Sequence, residues 1–150
     1  MAFSFKLEKV LKWKRELERK RLIVMASIQR QREMAVEGMR RLEEERRELS
    51  RKFLELKVRE VFCDEFKWHA ARKRWLSEEI RKQGQIILAL DEKMEEARRN
   101  YAEARREREV VEKFRERMLR RFLEEQRRLD GKVLDEVGIL GHLAREKEGR

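Results

Sequence analysis

From Ile87 onward the chain reads Ile87, Leu90, Met94, Ala97, Tyr101, Ala104, Arg108, Val111, Arg115, Met118, Phe122, Glu125 and Leu129, with steps that alternate three and four without a slip. An apolar stripe repeating every 3.5 residues over about six heptads is too narrow and too long to be buried by a compact core, so it marks a helix that winds against another helix. A second seam of the same kind precedes it: Met25, Ile28, Arg32, Ala35, Met39, Leu42, Arg46, Leu49, Phe53, Leu56, Glu60, Cys63. The 48% charged fraction and the absence of proline fit long helices. The apolar residues are periodic and not scattered, which argues against disorder.

Two seams in one chain can zip against each other if the chain reverses between them. Around Val61 to His69 the heptad phase is lost and aromatics cluster, so the reversal is expected there, although no Gly or Pro marks it. Gly84 offers an alternative break, but it would leave Leu49, Phe53 and Leu56 facing polar positions near 112 to 119. The reading is therefore all-α, a long antiparallel two-helix coiled-coil hairpin in one domain, 1–150. Arm one spans about 5–61, the turn about 62–69, arm two about 70–130, and a helical or frayed tail 131–150, with arms of roughly 80 Å at 1.5 Å per residue. Centred on residue 64 or 65, the numbers of facing positions add to about 129, which sets Leu42 against Ile87, Met39 against Leu90, Ala35 against Met94 and Leu11 against Met118. The seam core is then Met25, Ile28, Met39, Leu42, Leu49, Leu56, Ile87, Leu90, Met94, Ala97, Tyr101, Ala104, Val111, Met118 and Phe122. Ser4 is the expected N-cap of the first arm, and Gly38 is tolerated within a long helix at roughly 1 kcal/mol against Ala.

The net charge of +10 is uneven. Residues 1–21 hold eight basic and three acidic residues, and 98–128 hold twelve and seven, so these two segments carry the whole excess. Antiparallel pairing would lay them side by side as one cationic surface. Arg108 and Arg115 occupy seam positions, where the stems pack and the guanidinium groups need an acid such as Glu16 or Glu18. Tail residues Val133, Leu134, Val137, Ile139, Leu140 and Leu143, punctuated by Gly138 and Gly141, have no partner in such a hairpin.

A two-helix coiled coil has no concave pocket in which catalytic groups converge, and no HExxH, phosphate-loop or nucleophile-base pattern is present. No catalytic residue, metal site, cofactor or small-molecule substrate is expected. His69 and His142 are isolated and read as surface or turn histidines, and the sole cysteine, Cys63, as a packing residue. The longest apolar run, Ile86 to Leu90, is far short of the roughly 20 residues that span a bilayer, and no apolar signal core opens the chain. Arginine-rich arm two also suggests a basic coiled coil that binds nucleic acid or ribosomes, but its charges are mixed in every turn and no RNP, GxxG or zinc-finger pattern occurs. Trp68 and Trp75 are hard to bury between two helices, and tryptophan is enriched at binding hot spots, so a protein partner at this aromatic group is the sharper reading.

Three stretches, Phe5-Lys6-Leu7-Glu8-Lys9-Val10-Leu11, the Trp75-Leu76 pair, and Lys132-Val133-Leu134-Asp135-Glu136, resemble in order and spacing the FliJ family of flagellar type III export proteins. The Val137-Gly138 that follows departs from the family pattern. The resemblance implies a non-enzymatic stalk and adaptor of the hexameric flagellar export ATPase, which promotes ring assembly and links the ATPase to the membrane export gate and to export chaperones. It also implies a cytoplasmic location, peripheral to the inner-membrane export apparatus. On that resemblance Phe53, Trp68, Trp75 and Leu76 would face the gate, and Arg120, Arg121, Arg127 and Arg128 the ATPase ring.

Overall fold

The computed structural model describes residues 2–58 and 63–149. Two helices account for nearly all of them: α1, Glu8–Val58, of 51 residues, and α2, Cys63–Glu148, of 86. Neither contains a cis peptide or a positive φ among the described residues, as expected for chains without proline whose glycines sit in helical geometry. Ser4 is not the cap of α1. The chain enters through a turn in which Glu8 N–H donates to the Phe5 carbonyl at 3.2 Å and Leu11 N–H to that of Leu7 at 2.9 Å. Glu8 then lies in the first turn, where a carboxylate complements the helix dipole. At the far end of α2, Arg145 and Lys147 complement the opposite pole and Gly149 N–H donates to the Arg145 carbonyl at 3.0 Å.

The turn expected at 62–69 is not found in residues 63–69. Residues 63–69 already form the first turns of α2, α1 ends at Val58, and residue 62 lies outside the described residues. The tail is helical through Gly131, Gly138 and Gly141.

The chain forms two compact units. One comprises Glu18–Glu103, where the two helical segments run antiparallel: Arg72 Nε donates to Glu45 Oε1 at 3.1 Å, Gln83 Nε2 donates to the Ala35 carbonyl at 2.9 Å, the Phe53 and Phe66 rings lie 4.9 Å apart, and Arg32 is paired with Asp91. The numbers of these facing residues add to 117 to 123, not to 129. Gln83, not Met94, therefore meets Ala35, and Gly84, not Leu90, meets Met39. Within this unit Ala35, Leu49, Leu76, Leu90, Met94 and Ala97 are buried, and Met25, Ile28, Met39, Leu42, Leu56, Ile87 and Tyr101 are half-buried.

The other unit comprises Met1–Leu17 with Ala104–Arg150. Phe3 packs on Phe122 at 5.5 Å and Phe5 on Phe114 at 5.9 Å, so this pair of segments is antiparallel too. Phe5, Leu11 and Ala104 are buried, Val111 and Phe122 half-buried, while Met118 is exposed. Residues 1–17 and 104–128, brought together here, hold fifteen basic and eight acidic residues.

Candidate protein-binding surfaces

In the unit Glu18–Glu103 an aromatic surface forms where the first turns of α2 meet the end of α1. The Phe53 ring is half-buried against Phe66 at an interplanar angle of 40°, with Lys73 Nζ 5.9 Å from its centre. The Arg72 guanidinium lies 4.3 Å over Trp75 while bridging to Glu45, which holds the indole in place and leaves it 47% exposed. Trp68 is 61% exposed and meets the His69 imidazole edge-on at 5.0 Å. Phe53 also lines an open groove of about 560 Å³ with Ala70, Lys73, Arg74, Ser77 and Glu78, among others. The Nδ1 of His69 is buried and has no hydrogen-bond partner among the described residues.

Leu76 does not belong to this surface. It is fully buried, one of two such side chains in the described structure together with Leu11, so it can offer nothing to a partner. A signal for this was present: Leu76, Ile80 and Gln83 continue the seam that begins at Ile87 backward in steps of four, three and four. Phe66 is 45% exposed beside Phe53. Phe62 and the side chain of Cys63 lie outside the described residues.

In the unit of Met1–Leu17 and Ala104–Arg150 two groups of basic residues stand out. The first is engaged across the helix pair: Lys14 Nζ with Glu107 at 2.7 Å, Arg15 Nη2 with Glu112 at 3.0 Å, and Arg115 Nε with Glu8 at 3.1 Å. Arg115 thus finds Glu8, and Arg108 bonds Glu112 at 2.6 Å. Partial burial disfavours the Glu112 carboxylate, but the hydrogen bonds from Arg108 and Arg15 outweigh it and hold the carboxyl below its ordinary range.

The second set, Arg120, Arg121, Arg127 and Arg128, is exposed. Arg128 Nε donates to Glu125 at 3.2 Å, and that hydrogen bond keeps the Glu125 carboxyl ionised to lower pH than usual. Arg120, Arg121 and Arg127 have no carboxylate within ion-pair distance among the described residues. They present guanidinium groups whose donors are open to an external anion or carboxylate.

Among the described residues no group of three or more His, Cys, Asp or Glu is placed to hold a metal ion, and no helix is long and apolar enough to cross a membrane. His142 lies on the tail with Glu146 at 3.5 Å, one helical turn on. The arrangement is that of a scaffold that presents two chemically different surfaces.

The solved structure of a protein from Chlamydia trachomatis described as a YscO homolog is similar to this chain, with a TM-score of 0.69, 24% identity, and coverage of 97% of this chain and 99% of that one. At that identity the likeness speaks for the fold. No curated protein sequence matches. The family model described as "Flagellar FliJ protein" matches residues 3–147. With nearly its full length accounted for by that one model, the chain belongs to the FliJ family of flagellar export proteins.

Proposed function

We propose that this protein is a non-enzymatic central stalk and adaptor of the flagellar export ATPase, which promotes assembly of the hexameric ring and links it to the membrane export gate and to export chaperones. The observation that carries the reading is membership of the FliJ family over residues 3–147. In this reading Phe53, Trp68 and Trp75 form the contact with the gate: aromatic side chains, partly exposed and partly held by Phe66 and Arg72, lose little entropy on binding and displace much water. Leu76 supports that surface from below. Arg120, Arg121, Arg127 and Arg128 meet carboxylates of the ATPase ring, an attraction that is largest where the arginines are not already paired.

The two surfaces separate by substitution. Trp68→Ala with Trp75→Ala is expected to weaken capture of the gate protein in a pulldown at least tenfold while leaving stimulation of the ATPase intact. Charge reversal of the four arginines to Glu is expected to do the opposite. If both variants act like the parent chain in both assays, the reading fails.

A further inference from the structure

The segment of α2 beyond residue 128 is a helix whose larger apolar side chains are exposed, none being covered among the described residues. Val133, Val137, Leu140 and Ala144 recur in steps of four, three and four, which places them in one stripe along the helix, with Asp130 three residues before it and Lys147 three residues after it. Val137 is 60% exposed and Leu140 66%. A Cβ at Gly131, Gly138 or Gly141 would meet nothing within 4 Å. A lone helix of about 20 residues containing three glycines is marginal in water, because each glycine costs roughly 1 kcal/mol against alanine and most helix stability comes from packing. The segment also differs from the cationic stretch before it, since residues 129–150 hold four basic and five acidic residues and so do not repel a copy of themselves.

We propose that this stripe binds the same stripe of a second copy of the chain, antiparallel, about a two-fold axis that passes between Gly138 and Ile139. The register follows from the charges. When the numbers of facing residues add to 277, Val137 of one copy meets Leu140 of the other, Val133 meets Ala144, and Asp130 meets Lys147 at both ends, so every layer is either apolar on apolar or opposite in charge. A slip of one heptad in one direction sets Asp130 against Leu140, and in the other sets Lys147 against Val137. Parallel pairing stacks Asp130 on Asp130 and Lys147 on Lys147. Over the seam positions Asp130, Val133, Val137, Leu140, Ala144 and Lys147, the antiparallel register with that sum is the one of these arrangements that leaves no charge against an apolar side chain and no like charges in contact. Gly138 beside the axis allows the two backbones to approach.

The test is sedimentation equilibrium of the full chain over a hundredfold concentration range. A monomer–dimer equilibrium is expected. Val137→Asp with Leu140→Asp should raise the dimer dissociation constant at least tenfold, with an unchanged circular dichroism spectrum of the monomer because both positions are exposed. Asp130→Lys should weaken the dimer, Lys147→Asp likewise, and the double exchange should restore it to within about threefold. A chain that is monomeric throughout, or a dimer indifferent to the two aspartates, overturns the proposal. So does a double exchange that fails to restore pairing, since the antiparallel register requires the compensation. If the aspartate pair instead abolishes binding of a monomeric chain to the ATPase hexamer, the stripe belongs to that partner and not to a second copy.

Discussion

Glycine residues of the same type stand in opposite situations along this chain. A Cβ at Gly38 would lie 3.2 Å from Gln83 Nε2, whose amide donates to the Ala35 carbonyl, so the missing side chain makes room for a polar contact between α1 and α2. At Gly138 the space is open. Alanine in a helix gains roughly 1 kcal/mol over glycine when nothing opposes it. Gly138→Ala should therefore slow amide exchange in the tail helix severalfold, while Gly38→Ala, which must push aside the end of Gln83, should give a smaller gain or a loss in urea unfolding. An equal gain at both sites would show that the Gln83 contact contributes nothing. The sequence revealed a glycine in a helix at position 38, but not its reason, because the reason is a residue 45 positions away.

At the level of the helices, the seams were legible and their register was not. A heptad pattern states which face of each helix is apolar, and that face is buried or half-buried from Met25 to Leu56, exposed Arg32 apart, and from Ile87 to Ala104. It is indifferent to a slip of seven residues, which returns apolar positions to apolar positions. The difference between facing numbers that add to 129 and those found, 117 to 123 between Glu18 and Glu103, is about one such slip. What selects among slips is the place where the chain reverses, and the aromatic cluster after Val61 that pointed to it is the start of α2 itself. The same displacement made Leu76 look like part of a binding surface when it is a seam residue. Leu76→Ala should cost about 2–5 kcal/mol of unfolding free energy in urea, as for other leucines that leave a cavity, whereas Trp75→Ala should cost about 1 kcal/mol or less because the indole is 47% exposed. If the two substitutions cost the same, the division between core and surface drawn at this pair is wrong. The ion pairs teach a related lesson: Glu116 and Arg120, four residues apart, suggest a pair, but Arg120 has no acidic partner among the described residues and Arg128 takes Glu125, not Glu124. Surface ion pairs are worth so little that spacing alone does not choose among them.

For the whole molecule the question is what its charge recognises. The net charge of +10 suits either a polyanion or an acidic protein surface, and those alternatives differ in how they respond to salt. Binding to a duplex or to RNA releases condensed counterions, so a chain contacting six or more phosphates loses about a thousandfold or more in affinity between 50 and 200 mM salt, whatever the nucleic-acid sequence. Pairing with carboxylates on a protein releases no such atmosphere. There the ions only screen, over about 10 Å at 0.1 M, and short-range packing persists. Lys14, Arg15, Arg108 and Arg115 are engaged with Glu8, Glu107 and Glu112, so the free cationic surface in their unit is smaller than the sequence count suggests. That leaves Arg120, Arg121 and Arg127, with six other basic residues of 1–17 and 104–128, without a carboxylate at ion-pair distance among the described residues, and the eight acidic residues interspersed with them interrupt any track for a phosphate backbone more than they hinder pairing with individual carboxylates. The expected outcome is saturable binding to an export ATPase hexamer at one copy per ring, weakened less than about tenfold across the same salt interval, with only weak, steeply salt-dependent binding to nucleic acid. Tight binding to arbitrary duplexes at 200 mM salt, with no uptake by the hexamer, would transfer the protein to the nucleic-acid class in spite of its fold.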